Sequence, residues 1–416
     1  MRVAIGLLLF SLSGRSLAAA DEGELRKLEE TKRIFDLRRA LDQTTGDGQD
    51  IRYYRALIEA RFGQEEISVD HFREFLASNP NETMRRKSHE EVANALIWLG
   101  RYGDAAVELV QVLQLMAQGD PERGPTRALL EVCNSLKDVS PQTVEFGTGR
   151  PLTARFNNLG SWNVPVEANG RNAEWVIDTG MTFSTVTESE AKRVRLELRD
   201  SGGRGGSDHT GKQLPFRLAV ASDVRIGAAH LRNVVFVVVA DNALAFGPFG
   251  SQRLHGIVGL PAIRALGSIA VSNRGEVRIH SDSPKVHQND PNVFFDGLTP
   301  IVEVRHAGRA APMKLDTGGD TTYLYSSFRE TLTPDERSKL KRQRRGFSGM
   351  GGSIKLETEL VPHLELELPG RTVGLREVSL RLDSPPGSGY SNGLLGMDAL
   401  KGGFILDFRI MRLELD

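Results

Sequence analysis

One internal duplication limits what this chain can fold into more than any other feature. Trp175-Val176-Ile177-Asp178-Thr179-Gly180 is matched by Met313-Lys314-Leu315-Asp316-Thr317-Gly318. A Gly-Arg pair begins eight residues before each Asp, at Gly170-Arg171 and Gly308-Arg309. Gly256-Ile257-Val258-Gly259 starts 78 residues after Asp178, and Gly393-Leu394-Leu395-Gly396 starts 77 after Asp316. A lone Asp-Thr-Gly is expected by chance about 0.1 times in a chain of this composition, so one copy means little. Two copies at matched spacing, each behind an apolar strand, describe one structural unit made twice.

The triplet suits a specific chemistry. An apolar strand running into Asp gives a carboxylate a rigid support, and Gly two residues on lets a facing loop and a substrate come close to the backbone. The intervening Thr offers a hydroxyl for bonding to the opposite loop. Duplication brings two such loops face to face, and two carboxylates in one site cannot both ionise easily, so the pair shares a proton. One can then act as base toward a water while the other, protonated, polarises a carbonyl.

Around this unit the chain divides in two. Residues 150 onward carry short alternating apolar runs separated by Gly, Pro, Asn and Asp, such as Val234 to Val239 and Leu364 to Leu368, the pattern of an antiparallel β-rich domain. Residues 21–145 instead show apolar residues at helical spacing. There, Tyr53 to Leu76 and Val92 to Leu115 each read as helix, glycine turn (Gly63 or Gly100) and helix, 37 residues apart. Ala95, Leu96, Leu99, Gly100, Tyr102 and Ala105 resemble a tetratricopeptide unit; an unrelated helical bundle fits the same residues. Gly147 to Pro151 is the expected linker. Charge divides too, from −6 over residues 21–150 to +3 over 151–416, with −1 for the whole chain. The total leaves no global basic field for nucleic acid. A composition 39 % hydrophobic and 26 % charged excludes a disordered, collagenous or multi-span membrane protein. The single cysteine, Cys133, forbids an internal disulfide or a cysteine-rich zinc site and reads as a core residue. At the start, Met1-Arg2, the apolar stretch Val3 to Leu12 and Ala18-Ala19-Ala20 have the layout of a signal peptide over residues 1–20. Cleavage near Ala20-Asp21 would leave the protein periplasmic or secreted, with no integral membrane segment.

Residues 155 to 416 resemble the pepsin/retropepsin clan of aspartic proteases in a single-chain, two-lobed form. The carriers are Asp178-Thr179-Gly180, Asp316-Thr317-Gly318 and the two Gly-hydrophobic-hydrophobic-Gly strings. The resemblance implies a multidomain α + β chain: helical hairpins over 21–145, then an all-β acid-protease fold with lobe one at 155–285 and lobe two at 290–416. It implies Asp178 and Asp316 as catalytic, with Thr179, Gly180, Thr317 and Gly318 as support. Gly-rich flaps would include Gly349, Gly351 and Gly352 in Phe347 to Lys355, and Gly205 and Gly206 in Gly202 to Gly211. Pepsin-like enzymes usually place Ser or Thr, and retropepsins Ala, directly after each Gly. Here those residues are Met181 and Gly319. Neither offers a hydroxyl to a carboxylate, which predicts activity at milder acidity than pepsin.

No other catalytic signature competes. The nine histidines lack ligand spacing, His89-Glu90-Glu91 lacks a second His four residues on, and neither a Gly-x-Ser-x-Gly elbow nor a phosphate loop occurs. The basic run Arg337, Lys339, Lys341, Arg342, Arg344 and Arg345 reads as a solvated helix face, or as a surface favouring acidic substrate residues or an anionic surface. These readings together indicate an exported aspartic endopeptidase with a polypeptide substrate, no metal or organic cofactor, and a helical domain that recruits a protein partner or regulates the cleft. The alternative is a non-catalytic envelope scaffold whose protease-like part is a peptide clamp.

Overall fold

The computed structural model of the chain describes residues 21–148, 151–207, 213–247, 251–280, 290–350, 352–385 and 388–416. The expected signal peptide and Gly351 lie outside the described residues. The fold is multidomain α + β, with helices leading and β-sheet following.

Helices Gln49–Arg61 and Glu65–Ala77 form one hairpin, and Glu82–Trp98 and Tyr102–Leu115 form the next. Both turns close the same way. Gly63 and Gly100 adopt φ of +82° and +68°, a conformation that costs glycine least. The following N–H groups reach back five residues, Gln64 to Glu59 O at 2.9 Å and Arg101 to Leu96 O at 2.8 Å, a Schellman-type closure. Tyr53, Phe72 and Phe75 cluster inside the first hairpin. Cys133, on helix Arg123–Ser135, is fully buried, and burial pushes its thiol up to about 12, which removes the thiolate needed of a nucleophile.

The β region repeats itself strand for strand. Lobe one runs in the order Trp162–Ala168, Arg171–Ile177, Gly256–Val258, Ser184–Thr187, Val234–Val239, Gln213–Ala221, Glu197–Ser207. Lobe two follows the same order with Thr299–His306, Arg309–Leu315, Gly393–Leu395, Tyr323–Leu324, Arg371–Arg381, Gly352–Leu368, Lys341–Gly349. Each Gly-hydrophobic-hydrophobic strand pairs parallel with the strand leading into Asp and antiparallel with the strand leaving it. The Gly-Arg pairs mark two-residue hairpins whose turn residues, Asn169-Gly170 and Ala307-Gly308, all have positive φ, a type I′ turn. A further sheet joins the lobes, where Ser268–Ser272 pairs antiparallel with Gly403–Asp407.

Two details differ from the sequence reading. Thr143–Phe146, overlapping the end of the stretch read as helical, is a strand paired with Ala229–Arg232, so the last helix ends at Ser135 and the β body begins before residue 147. The basic run is helical only at Arg337; Lys341 to Arg345 lie in a hairpin strand paired with Gly352–Leu368. Alternation of exposed and half-buried positions there has period two, which suits a strand.

The helices dock on both lobes. Arg264 of lobe one pairs with Glu65 at 2.6 Å and lies 4.8 Å from the Trp98 ring. Trp98 donates to Gly297 O of lobe two at 3.1 Å, and Phe35 meets Phe294 edge-on at 5.5 Å. Arg61, buried, pairs with Glu91 at 2.7 Å and Asp296 at 3.5 Å. Helix Arg123–Ser135 packs against Glu197–Ser207, the outer arm of the lobe-one hairpin.

Candidate active site

The parallel pairings bring the two Asp-Thr-Gly loops together at the seam between lobes. Asp178 N donates to Val258 O and Asp316 N to Leu395 O, each at 3.1 Å, so each carboxylate hangs from the end of a doubly paired strand. The threonines then interlock. Thr179 Oγ1 donates to Leu315 O at 2.8 Å and accepts from Thr317 N at 3.1 Å. Thr317 Oγ1 donates to Ile177 O at 2.9 Å and accepts from Thr179 N at 3.1 Å. Four buried backbone groups and both hydroxyls are thereby satisfied across the seam, as buried polar groups must be.

The glycines permit the approach. A Cβ at Gly318 would stand 2.2 Å from Asp178 Cγ, and one at Gly180 would stand 2.7 Å from Asp316 Cγ. Each carboxyl group therefore rests on the other loop's glycine, and the two share one buried site. The hydrogen bonds to them are unequal. Asp178 Oδ1 accepts one N–H, from Gly180 at 2.7 Å, whereas Asp316 Oδ1 accepts two, from Gly318 at 3.1 Å and Gly319 at 2.8 Å. Burial, reinforced by the neighbouring Asp316 charge, holds the Asp178 carboxyl well above the usual carboxylate range, with the Gly180 N–H opposing.

The two flap candidates are less complete. Gly349 and Gly352 face each other where the lobe-two hairpin turns, and Gly352 has φ +109°. In the lobe-one hairpin, Gly205 pairs with Leu214, and Gly206 lies at an irregularity in the register. Phe347 of the lobe-two hairpin is buried against Tyr323 at 5.2 Å. Met350, beyond it, packs with Met181 against the lobe-one cluster Val176, Val239, Leu244 and Ile257.

Several supporting residues escape a reading of the motifs alone. Ser184 and Thr322 both stand six residues past their Asp. Ser184 Oγ accepts from Gly259 N at 3.0 Å, and Thr322 Oγ1 accepts from Gly396 N at 3.1 Å. In lobe two the chain of bonds goes further: Asp398 Oδ1 accepts from Thr322 N at 2.9 Å and Thr322 Oγ1 at 2.6 Å. Burial raises the Asp398 carboxyl while these Thr322 bonds oppose it. Ser161 Oγ donates to Gly318 O at 2.9 Å and so holds the lobe-two loop from lobe one. Overlaying the two halves would expose Ser184 and Thr322, and would set Ser161 against Thr299; Asp398 aligns with Pro261 and has no counterpart to reveal it. Among the described residues no cluster of His, Cys, Asp and Glu could hold a metal.

Residues 164–262 match the family model described as "Aspartyl protease". That span contains Asp178-Thr179-Gly180 and Gly256 to Gly259. Over that span the chain is similar to an aspartyl protease domain. Among solved structures it is similar to the basic 7S globulin from soybean, at 11 % identity and a TM-score of 0.39, over 65 % of this chain and 94 % of that one. No curated protein sequence matches it. The matched domain suggests peptidase chemistry, and the second Asp-Thr-Gly loop lies beyond the matched span.

Proposed function

We propose that this protein is an exported aspartic endopeptidase in which Asp178 and Asp316 share one proton and one water. The observation that carries the reading is the reciprocal threonine lock, which seats both carboxyl groups on each other's glycine in one buried site. Asp178, raised by burial and by its neighbour, holds the proton; Asp316, with two N–H donors on one oxygen, is the base. Asp316 takes a proton from the water as its oxygen attacks the scissile carbonyl carbon, and Asp178 gives its proton to the carbonyl oxygen. The tetrahedral product then collapses: Asp316 returns a proton to the leaving nitrogen, the C–N bond breaks, and Asp178 recovers a proton from the gem-diol. Acid, amine and the starting protonation state result.

A peptide lying extended beneath the flaps would be held by main-chain hydrogen bonds, with alternate side chains entering alternate pockets. Neither Met181 nor Gly319 carries a hydroxyl to donate to the pair, which supports an optimum at mildly acidic pH. Export rests on the leader at residues 1–20, and mass spectrometry of the mature N-terminus tests it: a start at Asp21 in an extracytoplasmic fraction is expected. A mixed peptide pool tests the chemistry. Cuts made by the full chain and absent from both Asp178→Asn and Asp316→Asn support the shared pair; cuts that persist in either variant defeat it.

A further inference from the structure

The internal twofold makes each lobe-one residue a template for its lobe-two counterpart, and at one cleft position the two differ in charge. Val176 and Lys314 both stand two residues before their Asp. Val176 pairs with Ile257, which pairs on its other side with Thr185. Lys314 pairs with Leu394, which pairs with Tyr323. Directly paired residues share a sheet face, so Val176–Ile257–Thr185 and Lys314–Leu394–Tyr323 are equivalent rows.

Both rows face the flaps. Val176 and Ile257 belong to the apolar cluster that Met181 and the flap residue Met350 cap. Leu394 and Tyr323 lie beneath Phe347 of the same flap. Lys314 is half-buried in this setting. Besides its ladder pairing, its backbone N–H donates to Ser391 Oγ at 2.9 Å; among the described residues its ammonium has no hydrogen-bond or ion-pair partner. The nearby buried Arg381 is held through Nε and Nη2 by Asp383 at 2.9 and 3.0 Å. The Lys314 charge is also felt at Asp178, which places it within electrostatic reach of the reacting groups.

We propose that Lys314 makes the lobe-two half of the cleft select an acidic side chain. The bond that is cut then joins an apolar residue seated against Val176 to an aspartate or glutamate seated against Lys314. The selection rests on the peptidase reading and names its substrate class. A partly desolvated ammonium gains a charge-assisted hydrogen bond from an incoming carboxylate, worth about tenfold to a hundredfold over the amide of the same shape.

The test is cleavage-site mapping by the full-length protein on a mixed peptide library, followed by kcat/KM on matched Leu-Glu and Leu-Gln peptides. Wild type is expected to favour Asp or Glu at one position flanking the cut by about tenfold or more. Lys314→Met should erase that preference, and Lys314→Glu should transfer it to Lys or Arg. Cuts without acidic preference, or an unchanged preference in Lys314→Met, overturn the proposal and leave the peptidase reading standing. A Lys314→Met that slows all peptides alike while moving the pH profile also overturns it, because Lys314 would then act on the dyad alone. If no peptide is cut, the peptidase reading fails and fluorescence anisotropy decides the selection. Tighter binding of the Leu-Glu peptide that depends on Lys314 supports it; equal binding of both peptides overturns it.

Discussion

Replacing Thr179 with valine removes one hydroxyl and keeps the volume, which isolates the threonine lock from packing. The structure gives that hydroxyl two buried partners: it donates to Leu315 O at 2.8 Å and accepts from Thr317 N at 3.1 Å. In Thr179→Val both backbone groups stay buried beside Cγ atoms that cannot bond. Each orphaned group costs about 1–3 kcal/mol, so the variant should lose about 2–6 kcal/mol. Thr179→Ser keeps the oxygen and should lose about 1 kcal/mol, the value of one buried methyl. Urea denaturation followed by tryptophan fluorescence measures both, and peptide cleavage measured alongside should fall at least a hundredfold in the valine variant as Asp178 and Asp316 lose their mutual seat. Thr317→Val should match it, because Thr317 makes the mirror-image pair of bonds. A Thr179→Val protein within 1 kcal/mol of wild type and cutting at the wild-type rate would refute the idea that this lock holds the carboxyl groups together.

Further consequences are as direct. Gly318→Ala places a Cβ 2.2 Å from Asp178 Cγ, so it should abolish cleavage and cost about 1–3 kcal/mol by overpacking, read by the same denaturation. Asp178 binds its proton more tightly folded than unfolded, so stability falls as pH rises from the unfolded carboxylate range through the raised folded value. Asp178→Asn should therefore be more stable than wild type at pH 7, with the difference vanishing toward pH 3 in melting curves taken across that range. Ala307 holds φ +49° in a type I′ turn where the lobe-one counterpart is Asn169; Ala307→Asn should stabilise by about 0.5–1 kcal/mol, and a destabilisation would contradict the turn assignment.

The doubled site was legible in the sequence because its essentials are local. Strand, Asp, Thr and Gly sit in six consecutive residues, and the repeat fixes where the flanking Gly-hydrophobic-hydrophobic-Gly strand must come. Ser184 and Thr322 share an offset but not an identity, so a search for repeated letters passes over them. Ser161 and Asp398 act across the seam or from lobe two alone, and no spacing signals that. Lys341 to Arg345 reads as a charged helix face because charge carries no apolar period; its strand is fixed by pairing with Gly352–Leu368. The docking of the helices depends on contacts such as Arg264 with Glu65, 199 positions apart, which no local pattern encodes.

The central proposal is one proton shared by the carboxyl groups of Asp178 and Asp316, and the pH dependence of kcat/KM on a single cleaved peptide tests it most directly. The full-length protein should give a bell-shaped profile. The acid limb marks protonation of the second carboxyl group, and the alkaline limb marks loss of the shared proton from the pair that contains the raised Asp178. The maximum should lie in mild acid, and Asp178→Asn and Asp316→Asn should each be flat at the baseline. A profile that rises steadily into the alkaline range, or a bell that survives in either variant, would show that the two aspartates do not act as one catalytic pair.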